Sequence, residues 1–278
     1  MSEYITLEQI DEAVKTIEAR TQYRPKLAMI LGSGLNDLAN AIDNADIIPA
    51  EEIPNWPKST VQGHMGRLVI GTLAGKEVLV MQGRSHYYEG YSMAQVTFPV
   101  RVMNRMGVNT LFVTNAAGAV NQDYAPGDVM LIVDHINLIG MGGLSPLRGP
   151  NLDVFGERFP DMSQPYDREL CDLARGAAKK NGIRLHEGVY TILAGPSFES
   201  PAELRYLKGI GTDAVGMSTV PEVIVARHGK MRVLGISGIS NKANLDGSTM
   251  TTHEEVLEAG HIIAPKIKDI FLGVLENL

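Results

Sequence analysis

Val78-Leu79-Val80-Met81-Gln82-Gly83-Arg84-Ser85-His86-Tyr87-Tyr88-Glu89-Gly90 reads as a buried strand that ends in a polar loop. The first four residues are apolar without alternation, as in a strand covered on both faces. The glycines at 83 and 90 let the backbone turn. Between them an arginine and a histidine stand two residues apart, followed by two phenols and a carboxylate. A guanidinium beside an imidazole is a receptor for an oxyanion such as phosphate. Taken alone, the loop reads rather as a polar turn with an incidental surface arginine and histidine. Its weight comes from recurrence, because the same unit of apolar run and polar tip repeats along the chain.

Apolar runs at Leu27–Leu31, Leu111–Thr114, Val129–Val133, Val189–Leu193, Asp213–Met217 and Val233–Ile239 read as further strands. Helical patterns lie between several of them, at Ala94–Met106, Tyr166–Asn181, Pro201–Ile210 and Pro221–His228. A last helix spans about Thr252–Leu278. Alternation of this kind predicts an α/β fold with a central mixed, largely parallel sheet flanked by helices. No internal repeat or linker-like stretch divides the chain, so residues 1–278 are read as one domain. At the N-terminus, Thr6 and Gln9 make a capping box, and Ile10, Val14 and Ile17 share one helical face. The long segment Asn137–Met162, with five glycines and three prolines, reads as a loop of functional length.

Composition narrows the function classes. A hydrophobic fraction of 44% with 21% charged residues is that of a folded globular protein. The net charge of −7 argues against nucleic acid or an anionic membrane as partner. Any anion site must therefore be a local pocket. No apolar run approaches the roughly 18 residues of a membrane span, and residues 1–20 are acidic and amphipathic rather than signal-like. The single Cys171, on a helical stretch, reads as a buried structural thiol in a reducing, cytoplasmic setting.

In open parallel sheets, ligands collect at the carboxyl ends of the strands. There the chain places Gly32-Ser33-Gly34, Arg84 with His86, Asn115-Ala116-Ala117-Gly118, Gly216-Met217-Ser218-Thr219 and Ser240-Asn241. Each is also what a turn is made of; the set of five is harder to dismiss. Several stronger templates are missing. The glycine loop lacks the third glycine of the dinucleotide fingerprint, and there is no P-loop, nucleophile elbow or H-E-x-x-H pair. What remains is a phosphate-sized anion site with no metal and no cofactor, which favours inorganic phosphate as a substrate.

Five segments carry a family resemblance. They are Ile30-Leu31-Gly32-Ser33-Gly34-Leu35, Gln82 to Gly90, Thr114-Asn115-Ala116-Ala117-Gly118, Gly195-Pro196-Ser197-Phe198-Glu199 and Gly216-Met217-Ser218-Thr219-Val220-Pro221-Glu222-Val223. In order and spacing they resemble motifs of the trimeric purine nucleoside phosphorylases, from about Lys26 to the last helix. The resemblance implies reversible phosphorolysis of 6-oxopurine (deoxy)ribonucleosides such as inosine and guanosine, in purine salvage, by a cytoplasmic homotrimer. Phosphate would be a co-substrate held by Ser33, Arg84, His86, the backbone at Ala116, Ser218 and a flap bearing His64. Ribose would lie against Tyr88 and Met217, with His253 at its 5′-hydroxyl and Phe159 entering from a neighbouring subunit. The base would stack on Phe198 and bond Glu199 and Asn241. Glu199, Asn241 and His86 would carry the catalysis. For His64, His253 and Phe159 the residue types alone also fit a surface histidine, a helix-start histidine and a loop anchor.

The alternatives are of other kinds. Methylthioadenosine phosphorylases, the nearest relatives of that family, generally carry aspartate where this chain has Asn241. A nucleoside hydrolase would show an N-terminal aspartate cluster for calcium. A non-catalytic nucleoside-binding protein would have no use for the full set of Ser33, Arg84, His86 and Ser218. Preference among inosine, guanosine and xanthosine is left open by the residues.

Overall fold

A computed structural model of the chain describes residues 4–61, 65–248 and 252–278, with the side chains at 36, 37 and 253 outside that description. Among the described residues, nine strands form one mixed sheet: β1 Leu27–Leu31, β2 Asp43–Pro49, β3 Arg67–Leu73, β4 Lys76–Gln82, β5 Thr110–Ala119, β6 Val129–Asn137, β7 Leu185–Ile192, β8 Ala214–Gly216 and β9 Arg232–Lys242. Their order is β2-β3-β4-β1-β5-β8-β7-β6-β9, and β9 pairs back onto β5. The second half of the sheet therefore closes into a five-stranded barrel, with β1, β4 and the antiparallel β3 and β2 as an open wing. The parallel pairings are β1 with β4 and β5, β5 with β9, and β7 with β6 and β8. The central strand β1 is buried at all five positions, as its unbroken apolar run requires.

Helices cover this sheet: α1 Leu7–Glu18, α2 Met93–Val96, α3 Phe98–Arg105, α4 Leu138–Met141, α5 Arg168–Lys180, α6 Pro201–Gly209, α7 Val220–His228 and α8 His253–Leu275. Side-chain caps set most of the starts. Thr6 and Gln9 satisfy each other's backbone at α1, Ser200 and Glu203 do so at α6, and Thr252 and Glu255 at α8. Asp167 caps α5 through Leu170 N at 3.0 Å. The rings of Phe112 on β5 and Phe271 on α8 meet at 4.9 Å inside the core. Closer to the cavity, α8 lies so near the loop after β1 that a Cβ on Gly260 would fall 2.8 Å from Gly34 Cα. Among the described residues, no helix is long and apolar enough to cross a membrane.

Several local expectations change. The helix expected over 94–106 is two helices that break at Thr97, because Pro99 cannot donate into the preceding turn. Strands β2 and β3 lie outside the apolar runs that the sequence marks as strands. β2 is an edge strand with mostly exposed or half-buried positions, and β3 joins β4 through Ala74 and Gly75, both at positive φ. Segments read as tips are also strand: Asn115 to Ala119 belong to β5, and Ser240 to Lys242 to β9. The segment 137–162 remains largely irregular, with only the short α4 inside it.

Candidate active site

Where the ends of β1, β4, β5, β8 and β9 converge, a cavity of about 340 Å³ opens, within the usual range of roughly 300–1,000 Å³ for small-molecule sites. Each polar tip of the chain contributes to its wall.

Arg84 organises one end. Its side chain is 2% exposed, and Nη1 donates to Ser218 Oγ at 2.9 Å and Thr219 Oγ1 at 3.1 Å. Behind it Nε lies 3.2 Å from Glu222 Oε1, also 2% exposed, in the first turn of α7. The carboxylate neutralises the guanidinium from the protein side, while the helix N-terminus tolerates the carboxylate. His86 stands beside it with Nδ1 3.0 Å from Glu89 Oε1. An ionised carboxylate only accepts, so Nδ1 carries a hydrogen and the tautomer of the neutral ring is set. Burial alone would raise the Glu89 carboxyl. Hydrogen bonds from His86 and Thr60 outweigh it and hold that group down to about 2. Ser33 and Ala116 line the same end. Gly32 N donates to Thr114 Oγ1 at 3.0 Å, which ties the serine loop to β5.

Tyr88 lines the cavity beside His86, its ring stacked on the imidazole at 4.7 Å with the planes 13° apart. Burial pushes its hydroxyl up to about 12, so it is a neutral phenol that can both donate and accept. Met217 faces it. A Cβ at Gly195 would sit 2.3 Å from Met217 Sδ, and φ there is +64°, so only glycine lets this loop close against the thioether. That loop continues into Phe198 and Glu199 at the far end. Burial raises the Glu199 carboxyl above its ordinary value.

Asn241 reaches the cavity through an irregularity. On β5 and β9 the register runs Ala117 with Ile239 and then Gly118 with Asn241, leaving Ser240 as an extra residue. Such a bulge re-aims the side chains around it, and here Ser240 and Asn241 line the cavity in succession. Ser240 Oγ lies 2.8 Å from Asn241 Oδ1 and 3.2 Å from Ala117 O, anchoring the amide.

Ten expected residues thus line one cavity: Ser33, Arg84, His86, Tyr88, Ala116, Phe198, Glu199, Met217, Ser218 and Asn241. His64 lies outside the described residues. His253 opens α8, whose Val256 lines the cavity, but its side chain is likewise outside the description. Phe159 does not line the cavity of its own chain; it is 86% exposed. The sequence alone assigns no role to Thr219, Glu222 or Ser240, and Glu89 stands in it only as the carboxylate that ends the polar loop. Val220-Pro221-Glu222, with proline and an acid at the first turn of a helix, carried a start signal that could have drawn attention to Glu222. Nothing local marks Ser240 as a bulge. Among the described residues no three His, Cys, Asp or Glu side chains gather in a metal-binding group.

A second groove, of about 620 Å³, adjoins the cavity and shares Tyr88 and Pro196 with it. Tyr87, Tyr91, Met93 and Leu144 line its remainder.

Residues 26–276 match the family described as the Phosphorylase superfamily. Purine nucleoside phosphorylase 1 of Bacillus subtilis is 52% identical over 271 residues, covering 98% of this chain and 97% of its own. Purine nucleoside phosphorylase of Mus musculus is 51% identical over 282 residues, covering 100% and 98%. A crystal structure of isoform 2 of the Schistosoma mansoni enzyme, in complex with cytosine and ribose-1-phosphate, matches with a TM-score of 0.94 at 42% identity, covering 100% of this chain and 99% of that one. The chain belongs to the phosphorylase superfamily, and within it to the purine nucleoside phosphorylases.

Proposed function

We propose that this protein catalyses the reversible phosphorolysis of 6-oxopurine (deoxy)ribonucleosides, yielding free base and (deoxy)ribose 1-phosphate. The observation that carries this reading is one cavity lined at one end by Arg84, His86 and Ser218 and, where it adjoins a further cavity that those three do not touch, by Glu199 and Asn241. Phosphate binds at the first end, with Ser33 and the Ala116 backbone completing its donors. Ribose packs on Tyr88 and Met217. The base stacks on Phe198, Glu199 accepts from its N1–H and 2-amino group, and Asn241 serves N7 and O6.

In the reaction the bond between N9 and C1′ breaks with its electron pair leaving on the purine. A phosphate oxygen then bonds C1′ from the opposite face. Asn241 stabilises the charge growing at O6 and the proton taken up at N7, which overall is the proton that HPO4²⁻ gives up on becoming the 1-phosphate ester, an interaction that grows toward the transition state. The phosphate dianion stabilises the oxocarbenium-like sugar before capturing it. His86, oriented by Glu89, supports the phosphate and orients Tyr88 by stacking. No cofactor takes part. Adenine offers no N1–H and carries an amine at C6, so Glu199 and Asn241 together select 6-oxopurines.

We further propose that residues 1–278 act as one nucleoside phosphorylase domain, in a cytoplasmic homotrimer. The exposed Phe159 of each subunit enters the neighbour's groove beside Tyr88, and His64 and His253 close over phosphate and the 5′-hydroxyl. Incubation with inosine, with and without phosphate, tests the activity: hypoxanthine release must require phosphate. Release without phosphate would indicate a hydrolase, and binding without release a nucleoside receptor. Adenosine, xanthosine and methylthioadenosine run in parallel test the base selection. The molar mass in solution tests the trimer.

A further inference from the structure

Ser218, Thr219 and Val220 form a three-residue turn in which Val220 N donates to Ser218 O at 2.9 Å. Its centre, Thr219, has φ 75° and ψ −54°. That is the rarer, strained hand of the γ-turn, and a β-branched residue at positive φ is an outlier in any fold. Such a conformation persists only where its surroundings over-determine it.

The hydrogen bonds around Thr219 supply that constraint, and they also carry a direction. Thr219 is 1% exposed. Its Oγ1 receives Asn115 Nδ2 at 2.9 Å and Arg84 Nη1 at 3.1 Å. A hydroxyl has two acceptor sites and one hydrogen, so both acceptor sites are occupied and only its O–H remains to be given. Ser218 Oγ, 3.2 Å away, is the acceptor at hand. Ser218 Oγ also receives Arg84 Nη1 at 2.9 Å. With both its acceptor sites taken in turn, the Ser218 hydroxyl can act toward the cavity only as a donor.

Resting on the reading of this end of the cavity as the phosphate site, we infer that Thr219 and Asn115 are positioning residues that lock the Ser218 hydroxyl as a donor aimed at phosphate. The phosphate dianion HPO4²⁻ presents three unprotonated oxygens and a single hydroxyl, so a rotor free to present its lone pairs would spend part of its time repelling the substrate's oxygens. The relay from Asn115 through Thr219 to Ser218 removes that freedom before phosphate arrives. The strained turn is what brings Thr219 Oγ1 within reach of Asn115, Arg84 and Ser218 together.

The test compares Thr219→Val, Thr219→Ser, Thr219→Gly and Asn115→Leu with the parent enzyme, by phosphate KM, kcat, hypoxanthine affinity and melting temperature. Losing the relay costs a hydrogen bond to a charged ligand, so Thr219→Val and Asn115→Leu should raise the phosphate KM about ten- to a hundredfold. Hypoxanthine affinity should stay within about threefold, because Glu199, Asn241 and Phe198 are untouched. Thr219→Ser keeps the oxygen and should restore most of the phosphate affinity. Thr219→Gly relieves the positive φ that Thr219→Val keeps, so it should melt above Thr219→Val while losing phosphate affinity as fully, which separates positioning from folding. A phosphate KM within threefold of the parent in Thr219→Gly or Thr219→Val overturns the inference, as does Thr219→Ser failing as badly as Thr219→Val. If the parent itself shows no phosphate-dependent release of hypoxanthine, the underlying reading of the site falls instead.

Discussion

Arg84 serves two ends at once, and its removal should separate them. Its guanidinium and the Glu222 carboxylate are each 2% exposed and 3.2 Å apart. Replacing Arg84 with methionine leaves a buried carboxylate without its countercharge, at a cost of about 3–5 kcal/mol. Unfolding entropy of about 2.1 cal/mol/K per residue over 278 residues is ~0.6 kcal/mol/K, so the melting temperature should fall by roughly 5–9 °C. The double variant Arg84→Met with Glu222→Leu removes both charges, and replacing a whole buried pair by apolar residues is often near neutral. It should recover more than half of the lost stability. Phosphate affinity should not recover with it: loss of charged hydrogen bonds predicts a phosphate KM about ten- to a hundredfold higher in both variants. Melting would be followed by calorimetry in phosphate-free buffer at one protein concentration, since bound phosphate and assembly both shift the midpoint. A double variant as unstable as the single would refute the charge-pair argument. A single variant that keeps the parent's phosphate KM would refute Arg84 as the centre of the phosphate site.

Four further outcomes are expected. Asn241→Ala should lower kcat about a hundredfold or more while the phosphate KM changes little, in the way that loss of one oxyanion donor acts elsewhere; steady-state kinetics in both substrates decides it. Glu199 sits above its ordinary value through burial, so it protonates more readily than a surface glutamate. The acid limb of kcat/KM for inosine should then lie above the ordinary carboxylate range and disappear in Glu199→Gln. The stability effect has the opposite sign, since burying this carboxylate destabilises as pH rises through the raised value. Glu89 is held down to about 2 against an ordinary 4.5. Its contribution to stability is present above pH 4.5 and lost as pH falls toward 2; melts across that window should show a steeper decline for the parent than for Glu89→Gln. Phe159→Ala should raise the inosine KM several-fold while light scattering still reports the assembly, because truncating one aromatic contact weakens a pocket more than a whole interface. An unchanged KM would remove Phe159 from the ribose site.

Much of the site could be read from the chain because its residues come in short local units. A polar tip after an apolar run needs only strand periodicity and glycine chemistry to be recognised, and Ser33, Arg84, His86, Ser218 and Asn241 each lie in such a unit. Helix starts at Thr6 and Thr252 were legible for the same reason, since a cap acts within three residues. The β3-β4 hairpin was not: its turn puts Ala74 at φ 50°, where asparagine or glycine would have announced it.

The sequence by itself determined the alternation of strands and helices, the strand tips and their chemistry, and the family that the motifs resemble. Only the tertiary structure decided that the sheet closes from β9 onto β5, that Ser240 is bulged so Asn241 enters the cavity, and that Glu222 stands behind Arg84. The same holds for Thr219, whose strained backbone is held by Asn115 from 104 residues away. Each of these depends on pairing between segments far apart in the chain. Periodicity and local propensity carry no information about such register, because it is set by which surfaces exclude water together once the whole core has formed.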